Sequence, residues 1–357
     1  MFNLIYKDRR VLVTGHTGFK GSWLCRWLQV LGAEVAGYSL EPCTQPNHFD
    51  LLDLKMISYI EDIRDYEALK KVFLDFSPEI VFHLAAQPSV LASYDEPLDT
   101  FSTNILGTAN VLEASRHTES IKSVVIVTTD KCYKNDERID GYQETDELGG
   151  HDPYSASKAC SELVTASYRK SFGLKDKTPF IASARAGNVI GGGDWTINRI
   201  VTDSIIAASK NEKLGIRSPN STRPWQHVLE PLSGYLLLGQ LMFQEQDSAA
   251  EAWNFGPSIS SNLTTEKLVN LMNSEWDKIA GDYAVDPDAR HEAGLLMLDS
   301  TKAKSFLNWD PIWSIETTVK HTVEWYRIFL ESNEVITDQQ INLYMDDALK
   351  NNAVWAK

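Results

Sequence analysis

The spacing of hydrophobic residues near the start of the chain changes at a cluster of glycines. Residues 11–13 form a continuous apolar run, which is typical of a strand that is covered on both faces. Tryptophan-leucine pairs at 23–24 and 27–28 then recur at helical spacing, as in an amphipathic helix. The pattern therefore predicts a buried strand, a tight turn and a helix, in that order.

Further apolar runs follow along the chain, and each predicts another strand. They lie at residues 34–38, 59–65, 80–86, 123–131, 180–185 and 252–256. Several of the stretches between them have helical spacing, including 100–115 and 231–243. Strands that alternate with helices favour an α/β fold. We predict a doubly wound, mainly parallel Rossmann sheet with a smaller, mostly C-terminal substrate-binding lobe.

The chain also predicts how the two lobes are divided. The dinucleotide-binding lobe is expected at residues 1–187, to which residues 227–258 return as a further helix and strand. The second lobe is expected at residues 188–226 and 259–357. A chain of 357 residues is long enough for two lobes, and a glycine-rich segment at 186–195 marks where it leaves the first.

Three glycines lie at three-residue spacing in the first predicted turn: Gly15, Gly18 and Gly21. Gly15 permits a sharp turn, Gly18 lets the main chain approach a diphosphate, and Gly21 lets the helix pack closely on the strand. The free N–H groups of that helix would face the diphosphate, and Phe19 and Lys20 lie in the same turn. The order Lys20-Gly21 is the reverse of a P-loop, which argues against a nucleoside-triphosphate site.

Other strand ends of the first lobe add candidate contacts to a dinucleotide. Asp62 and Ile63 end the third predicted strand, where Asp62 can accept a hydrogen bond from adenine; a helix N-cap at Asp65 is compatible with this. No arginine directly follows the second strand to bind a 2′-phosphate, which favours NAD over NADP. Small residues end the fourth strand, where a ligand can press on the main chain. The candidates there are Leu84, Ala85 and Ala86.

The composition narrows the classes of function. A net charge of −15 disfavours nucleic acids and anionic membranes as partners, because both repel an acidic surface. No apolar run is long enough to span a bilayer. The four cysteines have no paired metal-ligand spacing, so we expect no metal site and a reduced, cytoplasmic protein.

Side chains capable of acid–base chemistry follow the fifth predicted strand at Thr129, Asp130 and Lys131. Ligands of open α/β sheets bind at this carboxyl edge. Tyr154 and Lys158 are four residues apart on a predicted helix, so they share one face. An ammonium beside a phenol would lower the pKa of the phenol and make it a proton acceptor for a sugar hydroxyl.

Together these motifs resemble the extended short-chain dehydrogenase/reductase family over nearly the whole chain. The resemblance is carried by the glycine turn, the small residues that end the fourth strand, and the Tyr154-x-x-x-Lys158 motif. Thr129 precedes Tyr154 by 25 residues, as in that family. The resemblance implies a tightly bound NAD that is recycled within each turnover, with Lys158 on the nicotinamide ribose.

Within that family, Thr129-Asp130-Lys131 is similar to the nucleotide-sugar 4,6-dehydratases. A lysine after the aspartate resembles the subgroup that acts on CDP-glucose. The resemblance implies oxidation at C4 by Tyr154 and NAD, loss of water across C5–C6, and return of hydride to C6. In one mechanism Lys131 is the base at C5 and Asp130 is the acid that protonates the departing 6-hydroxyl. The alternative is that Lys131 stabilises the enolate and Asp130 carries both proton steps.

The resemblance also implies substrate contacts and an oligomer. Asn188 resembles a residue that binds the sugar-nucleotide diphosphate, and Arg223 matches the pyrophosphate arginine of the family. The further candidates for substrate binding are Trp195, Arg199 and Arg290. Helices near 100–116 and 153–172 are expected to form the interface of a homodimer or homotetramer.

Two other functions remain as alternatives at this point. A nucleotide-sugar epimerase or reductase of the same family is the first, although epimerases usually have small or apolar residues where Asp130 and Lys131 stand. A non-catalytic protein that senses a dinucleotide is the second. Such relatives typically lose the tyrosine that this chain keeps as Tyr154.

Overall fold

A computed structural model describes residues 1–172, 179–216, 218–282 and 295–357. In chain order its strands are β1 (Arg10–Thr14), β2 (Glu34–Ser39), β3 (Ile57–Ile60), β4 (Ile80–His83), β5 (Ser123–Val127), β6 (Phe180–Ala186), β7 (Asn188–Ile190), β8 (Leu214–Gly215), β9 (Thr222–His227), β10 (Ala252–Phe255), β11 (Asn262–Thr264) and β12 (Gly281–Asp282).

The helices alternate with these strands over the first half of the chain. They are α1 (Phe19–Val30), α2 (His48–Leu52), α3 (Tyr66–Phe76), α4 (Val90–Asp95), α5 (Pro97–Phe101), α6 (Gly107–Arg116), α7 (Pro153–Phe172), α8 (Ile200–Ser209), α9 (Leu229–Phe243), α10 (Thr265–Glu275), α11 (Thr301–Leu307), α12 (Ile315–Ser332) and α13 (Thr337–Lys350). A π-helical turn, Ser102–Leu106, joins α5 to α6.

The central sheet has seven strands in the order β10-β6-β5-β4-β1-β2-β3, and every pairing in it is parallel. This confirms the doubly wound α/β prediction. The strand order reverses between β1 and β4, so a crevice opens above the carboxyl ends of these two strands. The predicted third and fifth strands end earlier than expected, at Ile60 and Val127, so their polar residues lie in the loops above the sheet.

Both faces of the sheet are covered, because successive side chains of a strand point to opposite faces. Val11 and Val13 of β1 pack into one hydrophobic cluster with α1 and α9. Leu12, between them, packs into the other cluster with α3 and α6. Burial on both sides explains why the strand reads as a continuous apolar run rather than as an alternating one.

A smaller set of strands lies outside the central sheet. β9 pairs in parallel with β7 and antiparallel with β11, and β12 pairs with β8. β10 pairs with β6 at the edge of the central sheet, so the run at 252–256 forms the predicted strand there. The boundaries of the two lobes stay a prediction.

The C-terminal segment folds back onto the N-terminus. Trp355 stacks on Phe2 and on Tyr344 of α13, with ring centroids 5.1 and 5.6 Å apart. Trp27 of α1 meets Tyr344 edge-to-face, and Arg26 forms an ion pair with Asp338. Helix α13 and the residues after it are therefore a packed part of the fold. In the described part of the chain, no helix is long and apolar enough to cross a membrane.

Candidate active site

The glycine turn closes tightly against the end of β4. Gly15 has a φ of +76°, and a Cβ atom there would lie 2.7 Å from the nitrogen of Ala85. A Cβ at Gly21 would lie 2.0 Å from the oxygen of Gly15, so both positions require glycine. Gly18 is the N-cap of α1 and supplies no side-chain hydrogen bond. The first N–H groups of α1 thus face a cradle that suits a dinucleotide diphosphate.

Phe19 and Lys20, the first two residues of α1, have different surroundings. Phe19 lies near Gly191, where an added Cβ would be 3.3 Å from the phenyl ring. Lys20 is half-buried, and burial lowers its pKa to about 8, with the charge of Arg199 acting in the same direction. The charges of Asp130, Lys131 and Lys158 also act on Lys20. Lys20 therefore stands among the predicted catalytic groups.

The end of β3 is organised by an ion pair. Asp62 accepts hydrogen bonds from the main-chain and side-chain nitrogens of Arg64, at 2.9 and 3.0 Å, and Arg64 lowers the pKa of this carboxylate. Asp65 caps α3 through Ala68, as the compatible alternative predicted. The Ile63 side chain is buried in the core, so only its main chain can reach a ligand.

The end of β4 combines a buried histidine with small residues. His83 is hydrogen-bonded on both ring nitrogens, to Thr14 at 2.7 Å and Thr108 at 3.2 Å, so it is a core residue. The N–H of Ala85 donates to Thr14 Oγ1 at 3.2 Å. The three residues that follow β4 are half-buried and flank the glycine turn: Leu84, Ala85 and Ala86.

Thr129 and Asp130 lie directly above the end of β5. The Thr129 hydroxyl donates to Asp130 Oδ1 at 2.8 Å, and Asp130 is only 1% exposed. Its other oxygen, Oδ2, has no hydrogen-bond partner among the described residues. A Cβ at Gly187 would lie 3.0 Å from that oxygen. A buried carboxylate with a vacant acceptor oxygen is well placed to exchange a proton with a ligand.

Lys131 lies at the outer side of the same cluster. Its Nζ is 4.0 Å from Asp130 Oδ1, and its side chain is about a third exposed. The main-chain N–H of Lys131 donates to Thr129 Oγ1 at 3.3 Å. The three consecutive residues thus form one hydrogen-bonded unit with an ammonium, a carboxylate and a hydroxyl.

Helix α7 brings Tyr154 to this unit. Asp152 accepts a hydrogen bond from the N–H of Ser155 at 2.9 Å, and Pro153 is the first helical residue, as the sequence predicts. Tyr154 is buried, and its phenol lies close enough to the Thr129 side chain for Thr129 to lower its pKa. The hydroxyl, the carboxylate and the phenol therefore meet, as the sequence predicted.

The expected lowering of the Tyr154 pKa by Lys158 is wrong for this structure. Burial raises the pKa of Tyr154 to about 12, and the Thr129 side chain offsets only part of this. Lys158 Nζ instead donates to the main-chain oxygen of Val127 at 3.4 Å. The cost of burying a phenolate outweighs the positive charge of Arg199, and helical spacing alone does not reveal this.

Lys158 is itself buried, and burial lowers its pKa to about 8. The negative charge of Glu162 opposes this shift. Lys158 and Tyr154 thus share one face of α7, but their charged groups have different partners.

The predicted substrate-binding residues fall into distinct environments. Asn188 of β7 pairs with Trp225 of β9 in register, and its Oδ1 is buried without a partner in the described chain. Arg223 lies on the same β9 and donates to the oxygen of Thr222 at 2.8 Å. Both residues therefore lie on the small sheet, whose strand β7 continues from Gly187 beside Asp130.

The other predicted substrate contacts do not share one environment. Arg199 pairs with Asp194 at 2.8 Å, and its charge acts on both Lys20 and Tyr154. Trp195 packs against Tyr326 and Phe329, with ring centroids 5.3 and 5.6 Å apart. Its environment is an aromatic cluster, although its Nε1 lacks a partner among the described residues. Arg290 lies outside the described residues.

A buried amide near the site was missed by sequence reasoning. Asn104 lies in the π-helical turn and donates to Ser157 Oγ on α7 at 2.8 Å. It also accepts from the N–H of Gln87 at 2.8 Å. Asn104 thereby ties α7 to the segment after β4. No spacing in the sequence signals a π-helical turn. In the ranges that the structure covers, no cluster of side chains could hold a metal ion.

The parallel sheet, the glycine cradle and the Thr129–Tyr154 pair define a dinucleotide-dependent enzyme of the short-chain dehydrogenase/reductase type. The chain belongs to the GDP-mannose 4,6-dehydratase family, whose model matches residues 12–322. This finding confirms the family resemblance that the motifs carry.

Individual relatives agree with this assignment. The chain is 44% identical to the CDP-glucose 4,6-dehydratase of Salmonella typhimurium over 348 residues, which is 95% of this chain and 97% of the relative. Among solved structures, the UDP-glucose 4-epimerase of Thermotoga maritima with UDP-glucose matches with a TM-score of 0.76 and 26% identity, over 90% of this chain and 99% of that one. The dTDP-glucose 4,6-dehydratase of Bacillus anthracis with NAD shares the fold, with a TM-score of 0.74 at 21% identity over 90% and 97% of the two chains.

Proposed function

We propose that this chain is an NAD-dependent CDP-glucose 4,6-dehydratase. The observation that carries the proposal is the buried Asp130, which lies beside the hydroxyl of Thr129 and has one carboxylate oxygen without a hydrogen-bond partner in the described ranges. An acid–base group at this position serves the loss of water, which an epimerase does not need. The identity of 44% to a CDP-glucose 4,6-dehydratase over nearly both full lengths supports the same activity.

The first step is oxidation at C4 of the sugar. NAD, when bound, supplies the acceptor that takes hydride from C4 and later returns it to C6. Tyr154, as the phenolate that the positive charge of bound NAD⁺ would favour over the buried phenol, takes the proton of the 4-hydroxyl, and Thr129, whose side chain interacts with that of Tyr154, holds the same oxygen. Lys158 holds the nicotinamide ribose. The cofactor contacts further comprise the glycine turn with Phe19 and Lys20, the carboxylate of Asp62, the main chain of Ile63, and residues 84–86.

The second step is the loss of water across C5–C6. The 4-ketone makes the C5 proton acidic, and the departing 6-hydroxyl needs a proton. Asp130 carries both protons through its vacant Oδ2. Lys131, whose Nζ lies 4.0 Å from Asp130 Oδ1, stabilises the enolate. If Lys131 is instead the base at C5, its replacement should stop the loss of water as completely as replacement of Asp130.

The nucleotide end of the substrate lies along the small sheet. Arg223 on β9 binds the diphosphate, because guanidinium groups match its oxygens in pairs. Asn188 on β7, with its unbonded Oδ1, lies between Asp130 and that strand and binds the diphosphate or the sugar. Arg199, Trp195 and Arg290 complete the proposed substrate contacts. Cytidine as the base rests on the similarity to the Salmonella enzyme.

One assay tests the activity. Purified protein is given CDP-, dTDP-, UDP- and GDP-glucose, and the products are analysed by mass spectrometry. The expected result is a product of CDP-glucose that is lighter by one water, without net consumption of NAD. A product of unchanged mass would identify an epimerase, and stoichiometric oxidation of NADH would identify a reductase. Binding of NAD with no product from any of the four would indicate the sensing role.

We extend the proposal to the oligomeric state of the protein, its location in the cell and the use of its product. Large apolar side chains are exposed on neighbouring segments, with Leu98 81%, Leu106 60% and Leu163 58% exposed, and α5 and the π-helical turn pack beside α7. A second copy of the chain covers these side chains in a homodimer or homotetramer. The four cysteines are free thiols, which fits a reducing cytoplasm. The product would serve deoxysugar synthesis for lipopolysaccharide O-antigen.

A further inference from the structure

A buried carboxylate lies one helical turn beyond Lys158 on α7. Glu162 has a side chain that is 2% exposed, and its two oxygens accept hydrogen bonds from two strands. Thr128, adjacent to Thr129 at the end of β5, donates to Oε1. Ser183 of β6 donates to Oε2 at 2.8 Å. One carboxylate thus fastens the helix that carries Tyr154 to both strands that face it.

An arginine completes this set of contacts. Arg185 of β6, 3% exposed, donates to Glu162 Oε2 at 2.8 Å. Its other terminal nitrogen donates to the Tyr133 hydroxyl at 2.6 Å, and Tyr133 donates to Asn254 of β10 at 2.8 Å. The chain of contacts therefore runs from α7 through β6 to β10 at the edge of the central sheet.

We propose that Glu162 is a positioning residue of the active site: it fixes α7 against β5 and β6, and it gives the buried Lys158 an anionic neighbour. A charge buried without a partner is costly, so Glu162 and Arg185 must be present together. Lys158 must remain an ammonium to hold the cofactor ribose. The kinetic test of this proposal rests on the proposed function, because it measures turnover of CDP-glucose. The NMR test does not require turnover.

The charged and titratable groups around Lys158 and Glu162 come from several elements. Burial raises the pKa of Glu162, but Arg185 and the hydrogen bonds from Thr128 and Ser183 outweigh it, so the net pKa is lowered. Glu162 is therefore ionised at neutral pH, and its charge raises the pKa of Lys158 against the effect of burial. The other groups that interact with this pair are Arg169, Cys132, Lys20 and His83.

The experiment compares Glu162→Gln, Glu162→Asp and the double variant Glu162→Gln/Arg185→Met with the unchanged holoenzyme. The double variant removes both buried charges and keeps the fold free of an unpaired arginine. Glu113→Gln is the matched control, because Glu113 also pairs with an arginine and contacts α7 through Tyr168, but far from Lys158. Folding is checked by thermal unfolding of each variant.

The kinetic readout is the pH profile of kcat with CDP-glucose. In the unchanged enzyme the alkaline limb is expected near pH 8, where Lys158 loses its proton. Loss of the Glu162 charge is expected to move this limb down by about one pH unit or more, because a nearby anion favours the ammonium. Both Glu162→Gln and the double variant should show the shift. In Glu162→Asp the alkaline limb should lie at the same pH as in the unchanged enzyme, although kcat should be lower. Glu113→Gln should leave the whole profile unchanged.

A readout without turnover separates this proposal from the proposed function. The ε-carbon of Lys158 is titrated by NMR in ¹³C-lysine-labelled protein, and its signal is identified by its loss in Lys158→Met. A lower Lys158 pKa in the double variant supports the positioning role even if no nucleotide-glucose is turned over. An unchanged Lys158 pKa, or a double variant with the alkaline limb of the unchanged enzyme, would overturn it.

Discussion

At the scale of single residues, the site is a set of groups whose burial decides their chemistry. Asp130 is buried, with one oxygen that has no hydrogen-bond partner among the described residues. Lys131 reaches solvent, and burial raises the pKa of Tyr154 to about 12. Adjacent residues of one sequence motif thus have opposite degrees of exposure. From this difference we propose that Asp130 carries the proton steps and that Lys131 stabilises negative charge.

Replacement of Lys131 by methionine tests this division. If Lys131 stabilises the enolate, Lys131→Met should keep C4 oxidation and slow the loss of water by about 10²-fold, which is typical of losing one electrostatic contact. Reduced cofactor would then accumulate and absorb at longer wavelength. Asp130→Asn should stop the loss of water more severely, since it removes the acid and the base.

The matched control is Lys134→Met, because Lys134 is an exposed lysine paired with Glu147 three residues further on. It should behave like the unchanged enzyme. Turnover of Lys131→Met near the unchanged rate would rule out both roles of Lys131, and a loss as complete as in Asp130→Asn would favour Lys131 as the base.

At the scale of elements, buried carboxylates join helices that are distant in sequence. Glu230 of α9 accepts hydrogen bonds from the N–H groups of Ile312 and Trp313, at 3.0 and 2.7 Å, and from the Tyr344 hydroxyl at 2.7 Å. It therefore holds the entry to α12 and the middle of α13 against the sheet. Burial raises the pKa of Glu230 to about 7, despite these donors.

The raised pKa predicts a pH dependence of stability. In the folded protein Glu230 binds its proton up to about pH 7, but in the unfolded chain only up to about 4.5. Its contribution is thus fully present below pH 4.5 and is lost as the pH rises through 7. The Tm of the unchanged protein relative to Glu230→Gln should fall between pH 5 and pH 8. Glu331→Gln on the exposed face of α12 is the control, and a pH-independent difference would contradict the prediction.

The aromatic contacts of the C-terminal segment predict its contribution to folding. Trp355 is almost fully buried between Phe2 and Tyr344. Trp355→Ala should therefore lower the free energy of unfolding by about 3–5 kcal/mol, the usual cost of such a cavity. Denaturant unfolding measures this change. Val354→Ala, at a partly exposed neighbour, should cost far less, and equal losses would show that the segment does not pack as described.

At the scale of the whole molecule, the exposed apolar surface around α5, the π-helical turn and α7 predicts the assembly. Leu106→Glu combined with Leu163→Glu should convert the oligomer to monomers, because burying a carboxylate at an interface is costly. Light scattering after size-exclusion chromatography measures the mass. Phe306→Glu on α11, where the side chain is 75% exposed, should leave the mass unchanged. A monomeric unchanged protein would contradict the proposed dimer.

Sequence reasoning reached the sheet, the glycine turn and the Thr129–Tyr154 pair, because each depends on local rules. A continuous apolar run requires burial on both faces, and Gly15 and Gly21 are required where a Cβ atom would strike the main chain. A helix places Tyr154 and Lys158 on one face whatever surrounds it. These properties depend on a few neighbouring residues, so the order of amino acids determined them.

The tertiary structure alone decided what each of these groups meets. Burial outweighs the positive charge of Arg199 at Tyr154, and Lys158 turns to the oxygen of Val127. Trp195 packs among aromatic rings of α12, and Glu162 joins three elements. Such contacts bring together residues far apart in the chain. Their energies depend on desolvation and on partners that no local pattern specifies.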